Sequence, residues 1–250
     1  MRLKTPKIII LSLKSSSERR AAIKIYLNKI KKLEYIFFNA YKGESVPHSL
    51  LNKNLTKKLL GRDMSLGEIG CAYSHYMILK EFSKDEIIVV LEDDVRLYKD
   101  FEKVLNMIFK SELNKSNLIF LNSGFNFFPR FKTKISLDNK YSLYKAAGST
   151  WGTYGMVIHK NIAKKILSFY SDGIILPADY YGRKFCDSPI DILSVFPPIL
   201  NHPHVEGNPK NSIIGLDRYK KNKYKREIKT ILSNIKNRVL QWFWLNIFDI

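Results

Sequence analysis

Three consecutive carboxylates, Glu92-Asp93-Asp94, directly follow residues 87–91, the most hydrophobic run in the chain. That run shows no polar alternation, which is typical of a central strand covered on both faces. Glu92 and Asp94 project to the same side of an extended segment, because side chains alternate along it. Neighbouring carboxylates repel each other unless a cation neutralises them. Since Mg²⁺ and Mn²⁺ accept carboxylate and phosphate oxygens together, the triplet predicts a carboxylate–metal–diphosphate site.

The triplet alone leaves other interpretations open. A solvated acidic turn at the end of a strand has the same composition, and a phosphatase or a kinase-like site would use the same carboxylates. The sequence has no GxxxxGK[ST], GxGxxG, HRD or DFG pattern, which are the signatures of P-loop, dinucleotide-binding and protein-kinase sites. The triplet therefore indicates a metal more clearly than it indicates any one reaction.

The elements before the triplet predict that it lies at the carboxyl edge of a sheet. Residues 8–13 predict a buried strand, Ser15 with Glu18 predicts a capping box that opens a helix, and residues 35–38 predict a second strand. A second capping box, Ser65 with Glu68, opens the helix that leads to the strand at 87–91. This alternation predicts an α/β fold with a mainly parallel sheet, in which ligands gather at the carboxyl ends of the strands.

The remaining segments vary in how clearly they predict structure. Residues 39–64 are polar with turn signals, residues 122–150 indicate a loop-rich insertion with a short hairpin, and residues 171–214 contain six prolines and predict irregular structure. Further elements are expected as helices at 101–109 and 162–170 and as strands at 118–121 and 154–159.

The segment Ser65-Leu66-Gly67-Glu68-Ile69-Gly70-Cys71-Ala72-Tyr73-Ser74-His75, with Leu91-Glu92-Asp93-Asp94-Val95 after it, resembles glycosyltransferase family 25. It matches the family's S-x-G-E-x-G-C-x-x-S-H pattern throughout. The family contains lipooligosaccharide galactosyltransferases of Gram-negative bacteria and animal relatives that modify collagen. Weaker similarity is found at Glu18-Arg19-Arg20, Gly155-Met156-Val157-Ile158, Ala163-Lys164-Lys165-Ile166-Leu167 and Leu176-Pro177-Ala178-Asp179.

The resemblance implies a nucleotide-diphospho-sugar-binding fold of the GT-A type and inverting transfer of a hexose, most simply galactose from UDP-galactose, to a lipooligosaccharide core. It implies that Mn²⁺ or Mg²⁺ is bound by Glu92 and Asp94 of a DXD-like motif, with His204 as a further ligand. The donor would be bound by Ser74, His75, Glu92, Asp93 and Asp94. The chain departs from the family at the end of the first strand, where Ser12 and Lys14 replace an Asn and a frequent Asp.

Inverting transfer also requires a general base that deprotonates the acceptor hydroxyl. Asp179, in the family-like Leu-Pro-x-Asp segment, is the candidate, with Asp187 and Asp191 as rivals. An aspartate that merely caps a turn is the alternative for Asp179, and His75 would equally suit the edge of the core. On the first turn of their helix, Arg19 and Arg20 are expected to be solvent-exposed, with contact to a phosphate as the alternative.

Positive charge is concentrated at the C-terminus of a chain whose net charge is +19. Residues 216–250 hold nine Lys/Arg against three Asp/Glu, and their apolar residues recur at helical spacing up to Trp242 and Phe243. We divide the chain into a transferase domain at 1–215 and a basic amphipathic tail at 216–250 that binds an anionic membrane surface. Docking of this helix on the domain is the alternative.

These features predict a peripheral protein on the cytoplasmic face of the bacterial inner membrane, acting on a glycolipid acceptor. No nucleic acid is expected as a partner, because the remaining positive charge is spread thinly rather than gathered in a stripe. Cys71 and Cys186 are too few for a disulfide framework, which favours a reducing compartment. Two alternatives are a non-catalytic basic protein that binds nucleic acid or anionic lipid, and a metal-dependent phosphohydrolase.

Overall fold

The computed structural model describes residues 6–30, 33–122, 129, 131–145, 152–178 and 190–202. The strands in these ranges are β1 (Lys7–Ser12), β2 (Tyr35–Asn39), β3 (Ile87–Glu92), β4 (Arg96–Leu97), β5 (Asn117–Phe120), β6 (Ile135–Ser136), β7 (Ser142–Lys145), β8 (Gly155–His159), β9 (Asp191–Phe196) and β10 (Leu200–Asn201). The α-helices are α1 (Ser17–Leu27), α2 (Lys53–Leu60), α3 (Leu66–Glu81), α4 (Phe101–Lys110) and α5 (Lys160–Phe169).

The central feature is an eight-stranded sheet with the order β2-β1-β3-β8-β5-β9-β7-β6. β1 pairs in parallel with both β2 and β3, whereas β8 lies antiparallel between β3 and β5. Six of the eight strands point in one direction, and only β7 and β8 run against them. The predicted α/β class with a mainly parallel sheet is therefore confirmed.

β3 is buried on both faces, as its continuous hydrophobic run predicts. Ile88 and Val90 pack in a cluster with residues of α3 and α5, whereas Val89 and Leu91 pack in a second cluster with residues of α1 and α4. The sheet thus lies between two helical layers. The four central residues of β3 are buried, and the polar residue Glu92 stands at its carboxyl end.

The start of α3 is fixed by the predicted capping box. The Ser65 hydroxyl accepts a hydrogen bond from the Glu68 amide at 3.3 Å, and the Glu68 carboxylate accepts one from the Ser65 amide at 2.9 Å. Arg62 binds both oxygens of the same carboxylate, each at 2.7 Å. A Cβ at Gly70 would lie 2.6 Å from the Tyr41 carbonyl oxygen, so only glycine permits this approach. These contacts set the position of α3 over the sheet.

Two local expectations were wrong, and one segment for which no element was predicted contains a helix. α1 begins at Ser17 with Ser16 at its N-cap and no side-chain capping bond, so Ser15 does not form a capping box. The polar region 39–64 contains α2, which is capped by Asn52 through a bond from the Leu55 amide. Region 171–214 contains β9 and β10, because the prolines at 189, 197 and 198 flank β9 without interrupting it. The short hairpin expected within 122–150 is present as β6 and β7.

Candidate active site

The acidic triplet lies at the carboxyl edge of the sheet and is largely withdrawn from solvent. Glu92 ends β3 beside Leu11 of β1, Asp93 is 8% exposed, and the Asp94 side chain is 14% exposed. This burial excludes the solvated acidic turn. Glu92 and Asp94 each offer an oxygen, and His202 a ring nitrogen, that lie within 4.8 Å of one another. Asp94 lies in the turn that follows β3, so the strand end and this turn together bring the two outer carboxylates close to each other, as predicted.

Asp93 is held by β1 and α1. The Ser12 hydroxyl donates a 2.6 Å hydrogen bond to Oδ2 of Asp93, and Nη1 of Arg19 donates to Oδ1 at 3.2 Å. The same Arg19 nitrogen lies 3.1 Å from Oδ2 of Asp94, so one guanidinium bridges two carboxylates. Arg20 donates to the Ser12 carbonyl oxygen at 2.9 Å. The first turn of α1 therefore faces the triplet, and the expectation that Arg19 is solvent-exposed was wrong.

His202 reaches the triplet from the far end of the described chain. It follows β10, which pairs antiparallel with β4, the short strand just after the triplet. Its Nε2 lies 2.9 Å from Oδ1 of Asp94, and its ring stacks on Tyr154 at a centroid distance of 3.8 Å. At 3% exposure it is buried. The structure thus brings His202 to the position that the sequence assigned to His204, which lies outside the described residues.

The three carboxylates differ in how readily they ionise. Burial, reinforced by the charge of Asp94, raises the pKa of Glu92 to about 7, although His202 and a 2.7 Å hydrogen bond from Thr153 oppose this. Burial also raises the pKa of Asp93. Burial acts in the same direction on Asp94, but His202 and Arg19 outweigh it and hold the Asp94 pKa below its ordinary value. A cation near Glu92 would favour its ionised form.

We expect Glu92→Gln to stabilise the metal-free protein at pH 8. An acid with a raised folded pKa binds more protons folded than unfolded, so it makes stability fall as pH rises between its unfolded value and about 7. Removal of the ionisable group should recover on the order of 3 kcal/mol at pH 8 and nothing at pH 4. Denaturant unfolding in EDTA at several pH values measures this. Identical pH dependence of the two proteins would contradict the assignment.

The donor-binding residues predicted on α3 are both buried. The Ser74 hydroxyl donates to the Gly70 carbonyl oxygen at 2.6 Å and accepts from the Tyr41 amide at 2.9 Å, so it links α3 to the segment that follows β2. His75 is 1% exposed, and burial lowers its pKa to about 4, which keeps it neutral. It lies beside Glu92 on the side of the triplet that faces the helix. Neither side chain is exposed to solvent.

Of the other predicted residues, the structure describes Asp191, which lies away from the triplet. Asp191 begins β9 opposite Asn117, at the end of the sheet away from Glu92, and forms an ion pair with Lys145 at 2.9 Å. Asp179, Asp187 and residues 216–250 lie outside the described residues. Within the described ranges, no helix combines the length and the apolar character needed to cross a bilayer.

Sequence reasoning missed four side chains that meet the triplet: Ser12, Arg19, Thr153 and His202. Ser12 ends β1, the strand that pairs in parallel with β3. Its position at a strand end could therefore have predicted that it lies near the triplet. Arg19 belongs to a stretch with family similarity, and His202 stands in the same Asn-His-Pro-His segment as His204. Thr153 carries no signal in the sequence. It is placed by the hydrogen bond from the Glu92 amide to the carbonyl oxygen of the adjacent Tyr154 at 3.0 Å.

The chain resembles known proteins over most of its length. It is 26% identical to the lipooligosaccharide biosynthesis protein lex-1 of Haemophilus influenzae, over 93% of this chain and 90% of that protein. It is 28% identical to human procollagen galactosyltransferase 2 over 70% of this chain, but it spans only 29% of that protein. Among solved structures, A197 from STIV superposes with a TM-score of 0.40 and 13% identity over 79% of this chain and 83% of that one, a score too low to support a conclusion.

Residues 5–181 match the family described as Glycosyltransferase family 25 (LPS biosynthesis protein). This region contains β1, α3, the acidic triplet and β8, and therefore most of the residues that form the candidate site. It ends before His202, which the structure adds to the triplet from outside the matched region. The chain belongs to glycosyltransferase family 25.

Proposed function

We propose that this protein transfers a hexose from a sugar nucleotide to an acceptor hydroxyl, with inversion, and that a divalent cation held by Glu92 and Asp94 assists the reaction. The observation that carries the proposal is the convergence of two carboxylates and an imidazole within 4.8 Å at the carboxyl edge of the sheet. In α/β sheets that edge is where ligands bind. Membership in family 25 gives this site its reaction class.

The residues fit a hard divalent cation. Oδ1 of Asp94 is buried and accepts no well-aligned hydrogen bond, although Nε2 of His202 lies 2.9 Å from it. Carboxylate oxygens are the ligands that Mg²⁺ and Mn²⁺ prefer, and imidazole is acceptable to Mn²⁺. Glu92, Asp94 and His202 would hold the ion, which would neutralise charge that develops on the departing diphosphate.

Asp93 has a different role from its two neighbours. Both of its carboxylate oxygens already accept hydrogen bonds, one from Ser12 and one from Arg19. Arg19 also contacts Asp94, so it fixes the orientation of that carboxylate and adds positive charge beside the site. Stacking on Tyr154 fixes the ring of His202 in the same way. These contacts place the ligands before substrate binds, which reduces the reorganisation needed during the reaction.

We propose Asp179 as the general base. Asp191 is not carried forward, because it lies at the opposite end of the sheet and is paired with Lys145. Asp179 follows Ala178, which is buried within the same hydrophobic cluster as α3. Its role rests on the family-like Leu-Pro-x-Asp segment and requires its own test.

The donor and acceptor are proposed from the relatives. The protein lex-1, which this chain matches over nearly its full length, is named for lipooligosaccharide biosynthesis, and the procollagen enzymes are named for galactosyl transfer. We therefore propose UDP-galactose as the donor and a lipooligosaccharide core as the acceptor.

A donor screen tests the function. Release of the nucleoside diphosphate is measured for a panel of sugar nucleotides with a lipooligosaccharide acceptor, in Mn²⁺, Mg²⁺ and EDTA. We expect acceptor-dependent release from one donor, loss of release in EDTA, and recovery when metal is added back. Release of inorganic phosphate without an acceptor would instead identify the phosphohydrolase. Consumption of no sugar nucleotide under any metal condition would reject the transferase.

Residues 216–250 are proposed to bind an anionic membrane surface. Each Lys or Arg near such a surface contributes about 1 kcal/mol, so the nine in this segment outweigh its three acids. We expect a chain that ends at Gly215 to lose most binding to anionic vesicles, while the full chain binds less as salt increases. Zwitterionic vesicles serve as the control. Unchanged sedimentation of the truncated chain with anionic vesicles would remove the proposal.

A further inference from the structure

A second group of metal-ligating side chains lies on the helical side of the triplet. Cys71 and His75 are four residues apart on α3, which places them on the same face of the helix. The Cys71 sulfur, a His75 ring nitrogen and a Glu92 carboxylate oxygen lie within 4.8 Å of one another. The two helical residues therefore meet the end of β3 at one point.

The environment of His75 is consistent with a metal ligand. Its side chain is 1% exposed, and its Nε2 is buried with no hydrogen-bond partner in the structure. A buried nitrogen without a partner costs free energy that a bound ion would offset. The hydroxyl of the adjacent Ser74, in contrast, both donates and accepts a hydrogen bond. His75 therefore contributes a buried nitrogen without a hydrogen-bond partner to the residues that include Cys71 and Glu92.

The chemistry of the three donors differs from that of the Glu92, Asp94 and His202 group. A thiolate with an imidazole and one carboxylate suits Zn²⁺ and similar borderline-soft ions, whereas Mg²⁺ and Mn²⁺ prefer oxygen. Donors bound to one tetrahedral Zn²⁺ at about 2.0 to 2.3 Å lie about 3.3 to 3.6 Å apart. A small side-chain rotation would bring the three atoms into that range. Cys71 and Glu92 are only partly buried, which leaves a route for the ion.

We propose that Cys71, His75 and Glu92 form a second site, specific for a borderline-soft divalent cation such as Zn²⁺. Binding would displace the thiol proton of Cys71 to solvent and leave a thiolate on the metal. Glu92 belongs to both groups, so Zn²⁺ here competes with the hard cation at the first group. The competition, but not the zinc site itself, rests on the proposed function. Zinc is therefore expected to inhibit the enzyme by taking one of its metal ligands.

Cobalt spectroscopy of the untagged full-length protein tests the site. Co²⁺ should give a thiolate charge-transfer absorption that one equivalent of Zn²⁺ abolishes, and Cys71→Ser should remove the absorption and weaken Zn²⁺ binding at least about 10-fold. Cys186→Ser is the matched control, and it should keep both properties. An absorption that persists in Cys71→Ser, or that Cys186→Ser removes, would overturn the assignment.

A measurement on the wild-type protein guards against a variant that fails to fold. Alkylation of Cys71 by iodoacetamide, mapped by mass spectrometry, should slow at least about 10-fold in the presence of Zn²⁺, while Mg²⁺ should not protect it. Equal alkylation rates with and without Zn²⁺ would also overturn the site.

Displacement of Mn²⁺ tests whether Glu92 is shared. Electron paramagnetic resonance of bound Mn²⁺ should show its release as Zn²⁺ fills the site in the wild type, and little release at the same Zn²⁺ concentration in Cys71→Ser. Mn²⁺ that stays bound at saturating Zn²⁺ would overturn the competition. A protein that binds Zn²⁺ through Cys71 but never binds Mn²⁺ would contradict the proposed function and leave the zinc site in place.

Discussion

Asp94→Asn is expected to reduce the metal-dependent transfer rate by a factor of about 100 to 1,000. Asp94 is the carboxylate of the triplet that its surroundings keep ionised, because His202 and Arg19 hold its pKa below the ordinary value. Its Oδ1 is buried within reach of Glu92 and His202. An amide of the same shape keeps the packing but removes the charge that binds a divalent cation. The initial rate at saturating donor and metal measures the effect.

Asp63→Asn is the matched control for that substitution. Asp63 makes the same chemical change possible at an exposed surface position, where its ion pair with Lys57 spans 3.5 Å. We expect its transfer rate to stay within a factor of about two of the wild type, since surface changes of this kind have small effects. An Asp94→Asn protein that is folded and as active as the Asp63→Asn control would contradict the metal-site assignment.

His202→Gln is expected to raise the Mn²⁺ concentration needed for half-maximal activity by about 10- to 100-fold. Its Nε2 lies 2.9 Å from Asp94, and its stacked ring is fixed in one orientation, so it either binds the ion or orients a carboxylate that does. Excess metal should restore much of the rate, because the carboxylates remain. Metal titrations of the initial rate separate this effect from a loss of maximal rate.

His204→Gln decides between the two histidines of the Asn-His-Pro-His segment. The sequence assigned the metal to His204, whereas the structure brings His202 to the carboxylates. A larger shift in the metal requirement for His204→Gln than for His202→Gln would return the role to His204. The reverse order is expected.

The fold was predictable wherever burial imposed a clear pattern. The run 87–91 has no polar residue because both faces of β3 are covered by helices, and the start of α3 was legible because a capping box is a local interaction of four residues. β9 was missed because a strand between prolines reads as irregular when its partners, β5 and β7, are distant in sequence. Such pairing is set by tertiary contacts rather than by local composition.

The site was predictable in part for the same reason. Glu92 ends β3 and Asp94 lies two residues later in the turn that follows, so their proximity is a local feature of the chain. His202 requires the pairing of β10 with β4, and Thr153 requires the approach of Tyr154 to Glu92, neither of which is local. The sequence predicted contacts between residues close together in the chain, but not contacts between distant elements.

Several residues of the motif on α3 have structural roles, which the sequence alone did not distinguish from catalytic or binding roles. Glu68 caps the helix and binds Arg62, Gly70 permits contact with Tyr41, and Ser74 fastens the same segment. Cys71 and His75 are the members of the motif that instead turn toward Glu92. Much of the resemblance therefore records how α3 is positioned over the strand that ends in the triplet.

Calorimetric binding of UDP, GDP and CDP, each in Mn²⁺ and in EDTA, tests most directly whether the triplet joins a cation to a leaving diphosphate. The account predicts that one nucleotide binds at least about 10-fold more tightly with Mn²⁺, and that Glu92→Gln and Asp94→Asn remove this difference. Equal affinity with and without the metal, or a metal effect that survives both substitutions, would contradict it.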